Sequence, residues 1–187
     1  MVLNLHSVIP VSTVNGPGLR TVIFFQGCAR DCRNCFNPAT HPFDAGFEAG
    51  VEGVCRQARD SSVEGITISG GEPFSQPLGL TALLKTAREV YGLSTVVYTG
   101  FTLEEIEEDE RLCKALEFID VLVDGPYDFT RPEKTTLARG STNQRLHILT
   151  PRYGIKDFYM AGKIEVRIGV DGAVVATGFG EINAEGI

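Results

Sequence analysis

The chain has 187 residues, 43% hydrophobic and 22% charged, which is ordinary for a soluble globular protein with a sizeable core. Its net charge of -7 and its pI of about 5.0 argue against nonspecific binding to nucleic acid or to an anionic membrane. No apolar run reaches the roughly 18 residues of a membrane span, and the first residues lack the pattern of a signal peptide. We therefore expect a cytoplasmic protein, in which clustered cysteines are more often ligands or catalysts than disulfides.

Strands and helices are predicted to alternate along the first two thirds of the chain. Apolar, β-rich segments predict four buried strands, at 21–26, 65–69, 94–98 and 121–124. Helical spacing of apolar residues predicts helices at 47–60 and 80–91, and Thr102 with Glu105 forms a capping box that begins a third. This order predicts an α/β fold with a parallel sheet. Because a full barrel usually needs about 200 residues or more, we expect a partial (β/α) barrel or an open sheet.

The pattern changes in the last part of the chain. A polar segment, 130–145, is predicted to be a loop, and two β-rich runs then flank Asp171-Gly172, a strong hairpin turn. We expect a C-terminal β-hairpin. The chain as a whole, 1–187, is predicted to be a single domain with a core at about 15–150 and a C-terminal extension at 151–187.

Three of the five cysteines, Cys28, Cys32 and Cys35, follow the first strand in a C-x3-C-x2-C spacing. Structural zinc sites and closed iron-sulfur sites normally take four protein ligands. His41 is a possible fourth zinc ligand, but its spacing is not that of a zinc finger. Three thiols on one loop suit a 4Fe–4S cluster whose fourth iron is left open for another ligand, as catalytic metals keep an open position.

The other predicted strands also end in unusual groups. The second ends in Gly70-Gly71-Glu72-Pro73, the third in Thr99-Gly100 and the fourth in Asp124-Gly125. The carboxyl ends of parallel strands form one rim, where ligands bind. Glycines let a ligand approach the backbone closely, and the charge of Glu72 suits an ammonium group. A small zwitterion that chelates the open iron would fit such a rim.

Several blocks of sequence resemble a known family. They occur in the family's order from about Asn15 to Arg145, about 70% of the chain, and read NGPGLRTVIFFQGCARDCRNCFNPATH, ISGGEP, VYTGFTLEEI, DVLVDGPY and RGSTNQR. With these blocks the chain resembles the radical S-adenosylmethionine (SAM) enzymes. Within that superfamily it is most similar to the branch of glycyl-radical activases that act on anaerobic ribonucleotide reductase.

The resemblance implies a function and a set of cofactors. The three cysteines would bind a 4Fe–4S cluster whose fourth iron binds SAM, and Gly70, Gly71 and Glu72 would position the methionyl amino group. An electron donor such as a flavodoxin or ferredoxin would reduce the cluster, and SAM would be cleaved to a 5′-deoxyadenosyl radical. That radical would take a hydrogen atom from a glycine of a class III ribonucleotide reductase, the large partner protein.

Further residues receive roles from the same resemblance. Many radical SAM enzymes have an aromatic residue immediately before the third cysteine, where this chain has Asn34. Phe36 and Asn37 are therefore expected to line the adenine side of the site. Asp124, with Thr99 on the neighbouring strand end, is expected to lie near the carboxylate of SAM and to help hold a monovalent cation. The block 15–18 is expected to contact the partner's glycine-bearing loop.

Three alternatives remain open from the sequence. The chain could be a radical SAM enzyme that acts on another glycyl-radical enzyme, a peptide or a small molecule. It could instead be an iron-sulfur electron-transfer protein, whose cluster would not respond to SAM. A structural zinc module is the third alternative. No role is assigned to the extension, 151–187.

Overall fold

The computed structural model describes residues 1–160, 164–168, 172 and 174–179. Its main sheet contains β1 (Val2–Ser12), β2 (Arg20–Phe25), β3 (Phe47–Gly50), β4 (Gly65–Gly70), β5 (Ser94–Tyr98), β6 (Val121–Asp124) and β7 (Arg145–Ile148). The strand order is β3-β1-β2-β4-β5-β6-β7. Strands β2, β4, β5 and β6 run parallel, whereas β1, β3 and β7 pair antiparallel at the sides. The predicted α/β fold is confirmed, and the sheet is open because β3 and β7 are its two edges.

Helices connect the parallel strands. They are α1 (Val51–Asp60), α2 (Pro77–Lys85) and α3 (Leu103–Glu108), with a π-helical turn at Thr86–Val90 and 3-10 turns at Pro38–Thr40, Pro73–Ser75, Cys113–Phe118 and Ile155–Phe158. The predicted capping box is confirmed at the start of α3. The hydroxyl of Thr102 accepts from the amide of Glu105, and the amide of Thr102 donates to the Glu105 carboxylate at 2.7 Å.

The two faces of the sheet have different surroundings. Successive side chains of a strand point to opposite faces, so alternate residues enter different environments. On one face, strand residues pack with the helices in the main core: Ile23, Phe25, Ile66, Ile68, Val97 and Leu122. On the other face, the alternate positions line a cavity: Phe24, Thr67, Ser69 and Tyr98. The helices therefore cover one side of the sheet, whereas the other side borders the cavity and a second, smaller hydrophobic core.

Two predicted elements were wrong in part. Residues Phe47–Gly50, predicted as the first turn of a helix, form β3, because their backbone pairs with β1 at Leu5 to Val2. The helix itself begins at Val51. The polar segment predicted as a loop includes Arg145, which begins β7 and pairs antiparallel with Asp124 of β6.

The predicted C-terminal hairpin is confirmed. It consists of β8 (Ile164–Ile168) and β9 (Val174–Gly178), which pair antiparallel as a separate two-stranded sheet. Asp171 of the predicted turn lies outside the described residues. Among the residues that the structure describes, no helix combines the length and the apolar character that crossing a membrane requires.

Candidate metal centre

A cavity of about 610 Å³ lies at the carboxyl ends of the parallel strands. Cys28, Cys32 and Cys35 all line it, and each is a partly exposed free thiol. The cavity is also lined by most of the other predicted site residues: Phe36, Asn37, Gly70, Gly71, Glu72 and Thr99. The structure thus brings the cysteine loop and two predicted strand ends together at one place.

The cysteine loop is closed at its base by backbone hydrogen bonds. The amide of Gly27 donates to the Thr40 carbonyl at 2.8 Å, and the amide of Cys28 donates to the His41 carbonyl at 3.0 Å. Within the loop, the amide of Cys35 donates to the Cys32 carbonyl at 3.1 Å. The loop therefore begins and ends beside the end of β2, which keeps its three thiols at the rim.

The donor set of the cavity fits an iron-sulfur cluster. Burial raises the pKa of the Cys28 and Cys35 thiols, so binding iron as thiolates would release protons. Among the described residues, no three His, Cys, Asp or Glu side chains converge closely enough to hold one metal ion. A 4Fe–4S cluster does not need such convergence, because each of its thiolates binds a different iron.

The two glycines at the end of β4 lie directly against the cysteine loop. A Cβ added to Gly71 would come within 2.4 Å of the carbonyl oxygen of Gly27. Gly70 has a φ of 103°, a left-handed conformation that favours glycine. The backbone amides of Gly71 and Glu72 donate to the carbonyls of Phe25 and Gly27, at 2.8 and 2.9 Å. Only glycine allows this close approach of the strand end and the loop.

The carboxylate of Glu72 is buried and holds the neighbouring strand end. Its Oε1 accepts from the Thr99 hydroxyl at 2.7 Å and from the Phe74 amide at 3.0 Å, and its Oε2 accepts from the Gly100 amide at 2.8 Å. Burial raises the pKa of Glu72, although these hydrogen bonds act in the opposite direction. Glu72 therefore joins the ends of β4 and β5 at the cavity.

Asp124 is the predicted site residue that the structure places elsewhere. Its neighbour Gly125 lines the cavity, but Asp124 is not among the described lining residues. Its Oδ1 accepts from Arg145 Nε at 3.0 Å and lies 3.1 Å from His147 Nε2, and its Oδ2 accepts from the Leu103 amide at 2.6 Å. Burial acts to raise the pKa of Asp124, but the hydrogen bonds from Arg145 and the Leu103 amide and the nearby His147 together outweigh burial and lower that pKa.

The cavity also contains an aromatic and a cationic residue, Tyr127 and Arg30, that were not predicted from the sequence. The ring of Phe36, 67% exposed, lies 4.5 Å from that of Tyr127, measured between centroids. The guanidinium of Arg30 lies 3.8 Å from the centroid of the Phe101 ring and 3.0 Å from the Glu105 carboxylate. The position of Arg30 between two cysteines of the motif was the signal that could have identified it.

The RGSTNQR block also reaches the cavity. Arg139, Gly140 and Gln144 line it. The side chain of Gln144 accepts from the Gly140 amide at 2.9 Å and donates to the Gly125 carbonyl at 3.0 Å. Arg139 is paired with Glu133 and donates to the Gln144 carbonyl at 2.7 Å. The block is thereby attached to the end of β6.

Comparison with solved structures gives a partial match. The crystal structure of QueE from Escherichia coli aligns with a TM-score of 0.46 and 17% sequence identity, over 55% of this chain and 54% of that one. A similarity of this extent supports no conclusion about function.

Sequence comparisons are more informative. Residues 14–147 match the family model described as a 4Fe-4S single cluster domain. The anaerobic ribonucleoside-triphosphate reductase-activating proteins of Vibrio cholerae serotype O1 and Escherichia coli K12 are each 31% identical to this chain, over 79% of it and 99% of their own length. That of Enterobacteria phage T4 is 31% identical over 77% of this chain and 93% of its own. The chain therefore belongs to the family of anaerobic ribonucleoside-triphosphate reductase-activating proteins and carries its 4Fe-4S domain.

Proposed function

We propose that this protein is an iron-sulfur, SAM-dependent activase that generates a glycyl radical on an anaerobic (class III) ribonucleotide reductase. The observation that carries the proposal is the meeting of three cysteine thiols with the Gly70-Gly71-Glu72 strand end in one cavity. The names of its relatives supply the partner, since they are activating proteins of anaerobic ribonucleoside-triphosphate reductase.

The three cysteines of the loop would hold the cluster. When bound, a reduced 4Fe–4S cluster would supply one electron that cleaves SAM to methionine and a 5′-deoxyadenosyl radical, and this radical would take a hydrogen atom from the partner's glycine to give 5′-deoxyadenosine and a glycyl radical. The chain's own residues provide the rest: they position SAM, orient the glycine and keep water out of the cavity. No general acid or base is required, so the site needs no catalytic His or Ser.

The strand end would orient the methionyl part of SAM. Gly70 and Gly71 line the cavity, and their backbone carbonyls would accept hydrogen bonds from the amino group of SAM. The carboxylate of Glu72 is already engaged by three donors. We therefore propose that Glu72 acts chiefly by fixing the position of the strand end, and that its negative charge also attracts the nearby amino group of SAM.

The adenine part of SAM would lie against Phe36. This ring is 67% exposed at the cavity wall and is supported by Tyr127, so an aromatic base has a surface to stack on. Asn37, the next residue, is part of the same wall and offers an amide for polar contact. Both assignments follow the predicted adenine side of the site.

A monovalent cation at Asp124 has less support from the geometry. A cation there would have to displace Arg145 or His147, which already surround the carboxylate. Thr99 lines the cavity and faces Glu72 rather than Asp124. The cation therefore stays a prediction.

The proposal has three further parts. We propose that the electron donor is a flavodoxin or ferredoxin, that the protein is cytoplasmic, and that it has no nucleic-acid or membrane partner.

The test of this proposal is electron paramagnetic resonance (EPR) on the anaerobically reconstituted, dithionite-reduced protein, with and without SAM. We expect a 4Fe–4S signal that changes when SAM is added, because SAM binds the open iron. A cluster signal that does not respond to SAM would overturn the proposal in favour of an electron-transfer protein. A colourless protein that binds one zinc would indicate a structural zinc module.

A further inference from the structure

The C-terminal hairpin forms part of the wall of the cluster cavity. Four consecutive residues at the end of β9 line that cavity together with the cysteines: Ala176, Thr177, Gly178 and Phe179. The ring of Phe179 lies 5.8 Å from that of Tyr98, measured between centroids. The hairpin follows residue 147, where the match to the family model ends. It therefore lies outside the matched part of the chain and still reaches the site itself.

One face of the hairpin is polar and is attached to the body of the protein. The carboxylate of Glu165 accepts from the amide and the hydroxyl of Thr13, at 2.7 and 2.8 Å. The hydroxyl of Thr177, directly opposite Glu165 in the register, donates to Asn15 Oδ1 at 3.1 Å. The guanidinium of Arg167, two residues from Glu165, contacts the Val11 carbonyl. These contacts fix the hairpin on the segment between β1 and β2.

The other face of the hairpin is apolar and exposed. Val166 and Ile168 alternate with Glu165 and Arg167, so their side chains point to the opposite face. They are 47% and 74% exposed, and Val174, opposite Ile168 in the register, is 60% exposed. A two-stranded hairpin normally buries its apolar face on the body. Here the polar face is attached and the apolar face is left for another molecule.

This apolar face is continuous with the cavity. Ala176 lies opposite Val166 in the register, is exposed, and lines the cavity. If the proposed function holds, the reductase must bring a glycine backbone into this cavity, whose wall includes the end of β9. A partner surface that extends from the cavity along this face of the hairpin would meet Val166, Ile168 and Val174.

On this basis we propose that the exposed apolar face of the β8–β9 hairpin is a docking surface for the ribonucleotide reductase. Its occupant is the apolar surface of the reductase that flanks the glycine-bearing segment. The inference rests on the proposed function and assigns a role to the extension. Burial of three exposed aliphatic side chains would contribute to affinity, whereas the cluster and SAM would not depend on them.

The experiment uses full-length, reconstituted protein with Val166→Ser, Ile168→Ser or the double variant, and Val90→Ser as the matched control. Val90 is 68% exposed and lies in the π-helical turn after α2, outside the described lining of the cavity. Three quantities are measured: SAM cleavage with dithionite alone, affinity for the reductase of the same organism, and glycyl-radical yield at limiting activase.

We expect the double variant to cleave SAM like the wild type, to bind the reductase roughly tenfold more weakly, and to give less glycyl radical. The control variant should match the wild type in all three. Unchanged reductase affinity in the double variant would overturn the docking surface while leaving the proposed function intact. If the wild type is a dimer, the double variant is a monomer and their affinities for the reductase are equal, the apolar face binds a second copy of this chain instead. If the wild type forms no glycyl radical, the proposed function itself fails and the docking surface with it.

Discussion

The carboxylate of Glu72, at the end of β4, accepts a hydrogen bond from the hydroxyl of Thr99, at the end of β5, over 2.7 Å. Both side chains are buried, and the same carboxylate also accepts from the amide of Gly100. One acidic residue thus sets the relative position of two strand ends that border the cavity. The resemblance to radical SAM enzymes implies that Glu72 contacts the amino group of SAM, and the structure shows the protein groups that hold its carboxylate.

Replacing Glu72 should weaken SAM binding without removing iron. For Glu72→Ala we expect SAM affinity to fall roughly tenfold and stability to fall by about 1–3 kcal/mol, because three donors, two of them in buried hydrogen bonds, lose their acceptor. Thr99→Val, which removes only one of these hydrogen bonds, should shift SAM affinity in the same direction by less. Isothermal titration calorimetry with SAM measures the affinity of each variant, and iron analysis measures how much iron it retains. Thr81→Val in α2, whose hydroxyl bonds only within its helix, is the control. Unchanged SAM affinity in Glu72→Ala would refute this role.

The three cysteines of the motif should each be essential. Cys28→Ala, Cys32→Ala and Cys35→Ala should each lower SAM cleavage by roughly 100-fold or more, because an incomplete ligand set does not hold the cluster. Cys55→Ala is the matched control. Cys55 is buried in α1 and is not among the described lining residues of the cavity, and burial raises the pKa of its thiol to about 12, so we expect it not to bind the cluster. Formation of 5′-deoxyadenosine is the assay; activity that survives in any of the first three variants would disprove the ligand assignment.

The contact between Gly71 and Gly27 should be sensitive to a single methyl group. Gly71→Ala would place its Cβ 2.4 Å from the Gly27 carbonyl oxygen, so the strand end and the cysteine loop must separate, at a cost of about 1–3 kcal/mol. We expect reduced iron content after reconstitution and a lower unfolding midpoint. Gly53→Ala in α1 is the control, since its Cβ meets nothing within 4 Å and should stabilise the helix by about 0.5 kcal/mol. Equal iron content in the two variants would contradict the proposed packing.

The ion pair between Asp124 and Arg145 should affect how the stability of the fold depends on pH in the acidic range. Because the pKa of Asp124 is lowered in the folded protein, its ionised form stabilises the fold above the ordinary Asp pKa of about 3.9. That contribution begins to fall below about pH 5 and is lost as the pH drops through the folded value. Asp124→Asn should therefore be about 1–3 kcal/mol less stable at pH 7 but should lose less stability between pH 5 and pH 3.

Urea unfolding of the metal-free protein at pH 7, 5, 4 and 3 measures this difference without a contribution from acid loss of iron. Asp44→Asn, at an exposed position before β3, should follow the wild type at every pH. If Asp124→Asn and the wild type lose stability in parallel as the pH falls, the ion pair does not contribute to the fold.

The sequence predicted the parts of this structure that depend on local pattern. Strands 94–98 and 121–124 have the predicted bounds, because continuous apolar runs between helices specify buried parallel strands. The cysteine spacing and the glycines at the end of β4 identified part of the cavity lining, because the carboxyl ends of parallel strands meet at one rim. Phe47–Gly50 was predicted as helix because its short apolar pattern fits the periodicity of a helix as well as that of a strand. Only its pairing with β1 decides between the two.

Contacts distant in sequence could not be predicted in this way. The carboxylate of Asp124 is engaged by Arg145 and His147, which are 21 and 23 positions further along the chain and face it only because β7 pairs with β6. The position of the hairpin at the cavity depends on Glu165 and Thr177, whose partners lie more than 150 residues earlier in the chain. Local pattern specifies a hairpin but not the surface on which it packs.

The central claim is best tested by mixing this protein with the anaerobic ribonucleotide reductase of the same organism, SAM and a reductant under anaerobic conditions, and recording the EPR spectrum. We predict a doublet from a glycyl radical on the reductase, split by the remaining α-hydrogen. It should require all four components and be absent with Cys32→Ala. Cleavage of SAM that leaves no radical on the reductase would contradict the account and indicate a radical SAM enzyme with another substrate.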